Sequence, residues 1–209
     1  MSLHFLPGLG ATSALYSGYS FPFPIHTLDY PRPPRPGCGF DEYAAFLIQR
    51  QGIKPGDSLV GVSLGGMLAC EISKQVPICK LTLISSCTQR QHLHPLLTRL
   101  AFLGPYLPWG RLQRVARPVP GLSPARKLAV KMFREADADF VRWACSCAAD
   151  WSGLAEHEDL VSIHGDRDPV FPIQRQRVHL TLSGGDHLMI LSRQAEISPL
   201  LLARHGGED

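Results

Sequence analysis

No stretch of this sequence approaches the roughly 18 consecutive apolar residues that a membrane-spanning helix requires. The opening MSLHFLPGLG also lacks the basic start and apolar core of a secretory leader. The expected location is therefore the cytoplasm, with no integral membrane association. A cysteine framework is missing too: Cys38, Cys70, Cys79, Cys87, Cys145 and Cys147 are scattered through apolar contexts, and the Cys-Ser-Cys pair is one residue too tight for a Cys-x-x-Cys site. Reduced, mostly buried thiols are expected. Neither a G-x-x-x-x-G-K-[ST] phosphate loop nor a dinucleotide fingerprint occurs, so no cofactor is expected. A formal net charge of only +3 gives no reason to expect a nucleic-acid partner. There is no internal repeat.

What is present describes one folded domain. The 209 residues, 44% of them hydrophobic and 19% charged, suffice for a sizeable core. Short β-rich apolar runs occur at Leu3 to Leu6, Ile25 to Leu28, Ser58 to Val62, Lys80 to Ser85, Asp159 to His164 and Arg177 to Leu182. Helical spacing lies between several of them, at Tyr43, Phe46, Leu47 and Arg50, at Met67, Leu68, Ile72 and Gln75, and again from Ala195 onward. Alternation of this kind predicts an α/β fold: a mostly parallel sheet of about six strands flanked by helices.

One connection breaks the alternation. From Gln89 to Asp150 no strand is readable, and apolar residues recur at helical spacing: Leu93, Leu96, Leu97, Leu100 and Leu103, then Leu128, Met132 and Phe133, then Phe140, Ala144, Cys147 and Trp151. The expectation is a helical cap, residues 89–150, inserted into a single domain of residues 1–209, with RPVPGLSP as a loop between its halves. Between Thr88 and Asp150 ten basic residues face four acidic ones, a net of +6 against −3 elsewhere. A solvated helical face accounts for this, or an anionic partner approaches the basic cap.

The stretch LVGVSLGGMLACEI sets Ser63 between glycines, directly after a buried strand pattern and directly before a helical one. A plain glycine-rich turn is one reading of this stretch. A strand running straight into it and a helix running straight out favour another, in which the serine is required. In that G-x-S-x-G turn the nucleophile sits in strained backbone, with neighbouring chains too close for side chains. The run SIHGDRDPVFP places Asp166 and Asp168 past the next-to-last strand, at the end where parallel sheets bind ligands, and either could serve as the acid. In LSGGDHLMIL, His187 follows the last strand and can reach back to the serine.

The order serine, acid, histidine, each just past a strand, resembles the α/β-hydrolase superfamily, in its small esterase-like form with a helical cap. The resemblance spans nearly the whole chain and includes HFLPGLGATSALY, which is similar to that fold's oxyanion loop. It implies Ser63 as nucleophile, His187 as general base and then acid, and Asp168 as the group orienting the imidazole. Asp168 is preferred to Asp166 because Pro169 and Pro172 follow it. The implied oxyanion donors are the backbone N–H groups of Leu9 and Leu64. The first readable strand corresponds to the family's third, so the implied strand order is 4-3-5-6-7-8 in the family's naming. Asp186 stands before the histidine, where a small residue is commoner; it either perturbs the imidazole or points to solvent.

Other candidates carry less. His92 with His94, and Glu156 with His157, Glu158 and Asp159, lack a second ligand cluster, and no metal is expected. His26, His164 and His179 read as structural histidines, and Trp143 with Trp151 as packing residues. The expected function is a serine hydrolase, carboxylesterase-like, cleaving a small-molecule ester or thioester of an apolar acyl group. Leu100, Phe102, Leu107, Trp109 and Met132 of the cap are the expected substrate-binding residues. The alternatives are a thioesterase or acyltransferase acting on a carrier-bound acyl group, and a non-catalytic ligand-binding protein of the same fold.

Overall fold

A computed structural model describes residues 2–95, 103–118 and 120–206. Six strands form one sheet: β1 (Leu3–Leu6), β2 (Ile25–Thr27), β3 (Ser58–Val62), β4 (Leu81–Ile84), β5 (Leu160–Gly165) and β6 (Leu180–Leu182). Their order is β2-β1-β3-β4-β5-β6, and every neighbouring pair is parallel. This is the implied order. The last strand is shorter than its sequence pattern, because β6 is an edge strand held from one side only.

Parallel strands put every strand's C-terminal end on one edge, so the loops after β1, β3, β5 and β6 emerge together. Side-chain alternation then sorts the core onto two faces. Leu59, Leu81 and Leu83 point to one face, against α1 (Phe40–Gln51) and α2 (Leu64–Ser73). Phe5, Val60, Val62, Ile84 and Ile163 point to the other, against α6 (Met189–Ser192) and α7 (Gln194–His205). Helix α2 is buried from Leu64 through Ile72, as a helix wedged between sheet and neighbours must be.

Between β4 and β5 the described residues contain no strand. They hold short 3₁₀ turns and the helices α3 (Trp109–Val115), α4 (Pro124–Glu135) and α5 (Ala138–Asp150). Helix α4 starts where Ser123 accepts a hydrogen bond from the Arg126 N–H and Pro124 takes the first turn. The Asp137 carboxylate caps α5 by accepting from Asp139 and Phe140. The proline-rich link runs as expected from α3 to α4, except that Pro124 belongs to the helix. Of the expected helical leucines, Leu96, Leu97 and Leu100 lie outside the described residues. All six cysteines are free, with Cys38, Cys70 and Cys87 buried. Among the described residues no helix is long and apolar enough to cross a membrane.

Candidate active site

Strand β3 turns into α2 through Ser63, whose backbone (φ 53°, ψ −118°) lies in a region that side chains disfavour. Holding a non-glycine residue there costs on the order of 1–3 kcal/mol and requires the surroundings to enforce it. They do. A Cβ on Gly65 would come within 2.1 Å of the Leu6 carbonyl oxygen, and one on Gly61 within 2.5 Å of the Gly66 Cα. A Cβ on Gly66 would meet the Ser86 Oγ at 2.2 Å, and that hydroxyl donates to the Ser63 carbonyl at 2.6 Å. The glycines flanking Ser63 are therefore required by close packing, as the motif's context suggested.

The turn aims the serine at the histidine loop. Ser63 Oγ lies 3.0 Å from His187 Nε2, and His187 Nδ1 lies 2.9 Å from Asp168 Oδ2. A carboxylate on the Nδ1 side holds the proton there and leaves Nε2 to accept from the serine hydroxyl. Asp168 is only 5% exposed. Burial alone would push its pKa up, but the hydrogen bond and charge of His187, with the N–H groups of Phe171 and Val170, outweigh this and hold it below the usual carboxylate range. Asp166 is turned elsewhere, and its Oδ1 accepts the Gly184 N–H at 2.6 Å, stapling the acid loop to the histidine loop. Asp186 accepts the Leu188 N–H and faces Arg126 of α4 at 3.2 Å.

Leu64 occupies the first position of α2, where a helix leaves its N–H groups unpaired, and Leu9 lies on the loop after β1. No hydrogen bond among the described residues uses either N–H. Gly8 of the same loop passes so close that a Cβ there would lie 3.3 Å from the Ser63 Cβ. Beside Ser63 lies a cavity of about 90 Å³, lined by Gly8, Leu9, Gly10, Val62 and His187 and roofed by Ala129, Met132 and Phe133 of α4. Of the expected substrate-binding residues, Met132 lines this cavity. Leu107 and Trp109 do not; Trp109 stands behind the roof, edge-on to the Phe133 ring. Leu100 and Phe102 lie outside the described residues.

Sequence reading missed Ala129 and Phe133 as site residues, although with Met132 they follow the i, i+3, i+4 spacing of one helix face. It also missed Ser86, which nothing in the local sequence marks. Larger cavities, of about 590, 710, 460 and 300 Å³, lie away from Ser63. His164 is fully buried at the end of β5, where burial lowers its pKa to about 4. Trp143 and Trp151 donate to the Cys38 carbonyl and to Glu71, and neither lines the cavity at Ser63. His179 hydrogen-bonds Ser162, and His26 stacks on His4.

The profile of the alpha/beta hydrolase family matches residues 5–200. The chain belongs to that family. Similar solved structures include the carboxylesterase CesB from Bacillus subtilis, at 16% identity and a TM-score of 0.68 over 99% of this chain and 84% of that one. A thermophilic esterase from Thermogutta terrifontis is 12% identical, with a TM-score of 0.68 over 98% and 89%. Est816, described as an N-acyl homoserine lactone degrading enzyme, is 17% identical, with a TM-score of 0.70 over 97% and 92%. At these identities the structural likeness concerns the fold. No curated protein matches the sequence.

Proposed function

We propose that this alpha/beta hydrolase is a serine hydrolase that cleaves an ester or thioester of an apolar acyl group through an acyl-enzyme. The observation that carries the reading is the unbroken hydrogen-bonded chain from a strained Ser63 through His187 to the buried Asp168. A serine hydroxyl is a weak nucleophile at neutral pH, and an imidazole within hydrogen-bond reach removes its proton as the Oγ–carbon bond forms. His187 then gives that proton to the leaving group as the bond to the acyl carbon breaks. Water adds to the acyl-enzyme by the same route in reverse, releasing the acid and returning the proton to Ser63. The N–H groups of Leu9 and Leu64 are the donors to the oxyanion, and losing one such donor costs typically about 2.7–4 kcal/mol of the barrier.

The helical insertion is the cap in this reading, because α4 closes over Ser63. The exposed Arg111, Arg114 and Arg117 are the part of it at which an anionic partner or headgroup would bind. The cytoplasm, where unpaired thiols stay reduced, is the location the reading carries. A non-catalytic role would leave the strain at Ser63 without purpose. Treatment with a small fluorophosphonate tests the proposal: the adduct is expected on Ser63, absent from Ser63→Ala. A folded protein that takes no label, or takes it on another serine, overturns the reading.

A further inference from the structure

Both backbone polar groups of Ser63 are held from one place. Its N–H donates to the Ile84 carbonyl at 3.1 Å, and its carbonyl accepts the Ser86 hydroxyl at 2.6 Å. These partners stand at the end of β4, on the turn that leads into the helical insertion. To present Ser86 there the chain passes through Ser85 at φ 46°, with the Ser85 N–H tied to the Ile163 carbonyl at 3.0 Å. Side chains disfavour that left-handed conformation, and it persists only where the surroundings enforce it. Gly66 clears the space the hydroxyl occupies, since a Cβ there would meet it at 2.2 Å. Ser86 itself is fully buried.

The Ser63 carbonyl has partners without that hydroxyl. It begins α2, accepting the Gly66 N–H at 2.9 Å and the Met67 N–H at 3.4 Å. One acceptor bond satisfies a buried carbonyl, so the bond from Ser86 goes beyond what satisfaction requires. Its effect is directional. The helix takes one lone pair of the oxygen and Ser86 the other. A peptide unit is planar and trans, so the Ser63 carbonyl and the Leu64 N–H point in opposite directions from one rigid plate. Holding the oxygen from two directions fixes the tilt of the plate, and with it the line along which the Leu64 N–H points.

Resting on the serine-hydrolase reading, we propose that Ser86 is a positioning residue that aims the Leu64 N–H at the oxyanion. As Ser63 Oγ bonds to the acyl carbon, its proton passes to His187 Nε2 and the carbonyl π electrons move onto the acyl oxygen. That oxygen carries the charge the Leu64 N–H meets. A donor of this kind is effective because it is in place before the charge develops, and a misplacement of about 1 Å can cost about 10²-fold in rate. Ser86 touches no reacting atom and acts only through the peptide between Ser63 and Leu64.

Ser86→Ala removes the donor and leaves the helix bonds to the Ser63 carbonyl in place. With p-nitrophenyl butyrate as the probe, kcat is expected to fall about 30-fold with KM within about twofold, a part of the 10²–10³ that follows loss of a whole oxyanion donor. Inhibition by an alkyl trifluoromethyl ketone, whose adduct on Ser63 carries the same oxyanion, is expected to weaken by the factor lost in kcat/KM. Thr82→Val supplies the comparison. It takes a buried hydroxyl from the other end of β4, where it bonds Arg204 and His205, and is expected to lower the thermal midpoint while leaving kcat and the ketone's affinity unchanged. If the alanine variant fails to fold, Ser86→Cys, whose thiol donates weakly, is read in its place. A folded Ser86 variant with unchanged kcat and a lowered midpoint overturns the proposal and leaves the hydroxyl a structural tie, as does a fall in kcat that the ketone's affinity does not follow. Labelling by a fluorophosphonate, expected to be about tenfold slower in the Ser86 variant, extends the comparison to a protein that does not turn over the ester. An unchanged labelling rate overturns the positioning role alone, whereas an unmodified protein that does not label at all overturns the hydrolase reading beneath it.

Discussion

The Arg126 guanidinium lies 3.2 Å from the Asp186 carboxylate, tying the helix that roofs the cavity to the residue directly before His187. The two side chains are 57% and 34% exposed, so the pair contributes at most about 1 kcal/mol to stability. Its consequence is local, because it adds a restraint on α4 next to the reacting atoms. Arg126→Ala is therefore expected to leave the thermal midpoint within a few degrees while raising turnover of bulkier esters about threefold, on the scale of losing one exposed ion pair. Added salt should act on the unmodified protein in the same direction, since it screens exposed charges. If neither change moves the substrate profile, the Gln113 side-chain bonds to the Phe133 and Ala136 carbonyls and the burial of Met132 alone hold the roof.

Asp168 and Asp166 stand two residues apart and do different work. Asp168 meets His187 and is buried, whereas the Asp166 carboxylate accepts from the backbone of the histidine loop. Asp168→Asn keeps the volume but turns an N–H towards Nδ1 and favours the wrong tautomer, for which a loss of about 10⁴ in kcat is expected. Asp166→Asn leaves an amide oxygen to accept the Gly184 N–H, and a loss below about tenfold is expected, within the net worth of one hydrogen bond. Steady-state kinetics of the two variants decides the matter. Equal losses would mean that the loop staple, and not the orientation of the imidazole, limits the rate.

Much of this site was legible because its parts are local. Ser63 announced itself through glycines whose missing side chains make room for neighbouring backbone, and Asp168 and His187 follow short β-rich apolar runs that read as strands. Parallel pairing then brings distant loops to one edge without further information. Contacts set by the tertiary placement of side chains could not be read this way. Arg126 and Asp186 are 60 residues apart, and which face of α4 meets the Gly10 loop depends on how the insertion folds back. The turn after β4 is a similar case. Ser85 adopts φ 46° there, and Ser86 reaches the Ser63 carbonyl across 23 positions, with nothing in LISSC to signal either.

The buried histidines make stability depend on pH in a definite window. Burial lowers the pKa of both His164 and His205 to about 4, against an ordinary value near 6.5 in the unfolded chain. Arg204 and Lys80 push His205 the same way, and Asp159 opposes them. Between pH 6.5 and 4 the unfolded chain binds more protons than the folded one at these sites, so their contribution is full above pH 6.5 and is lost as the pH falls towards 4. Each group approaches a slope of about 1.4 kcal/mol per pH unit, and together they remove about 4 kcal/mol by pH 5. The carboxylates do not share this window. Asp168 and Asp57, held below their ordinary range, stabilise the fold above about pH 4 and lose that contribution only below it. Urea unfolding at pH 7.5, 6 and 5 is expected to show the decline, and His164→Gln and His205→Gln should each remove about half of it, since a glutamine has no proton to bind. A decline that persists undiminished in both variants would assign it to His4 and His92, whose pKa values burial also lowers.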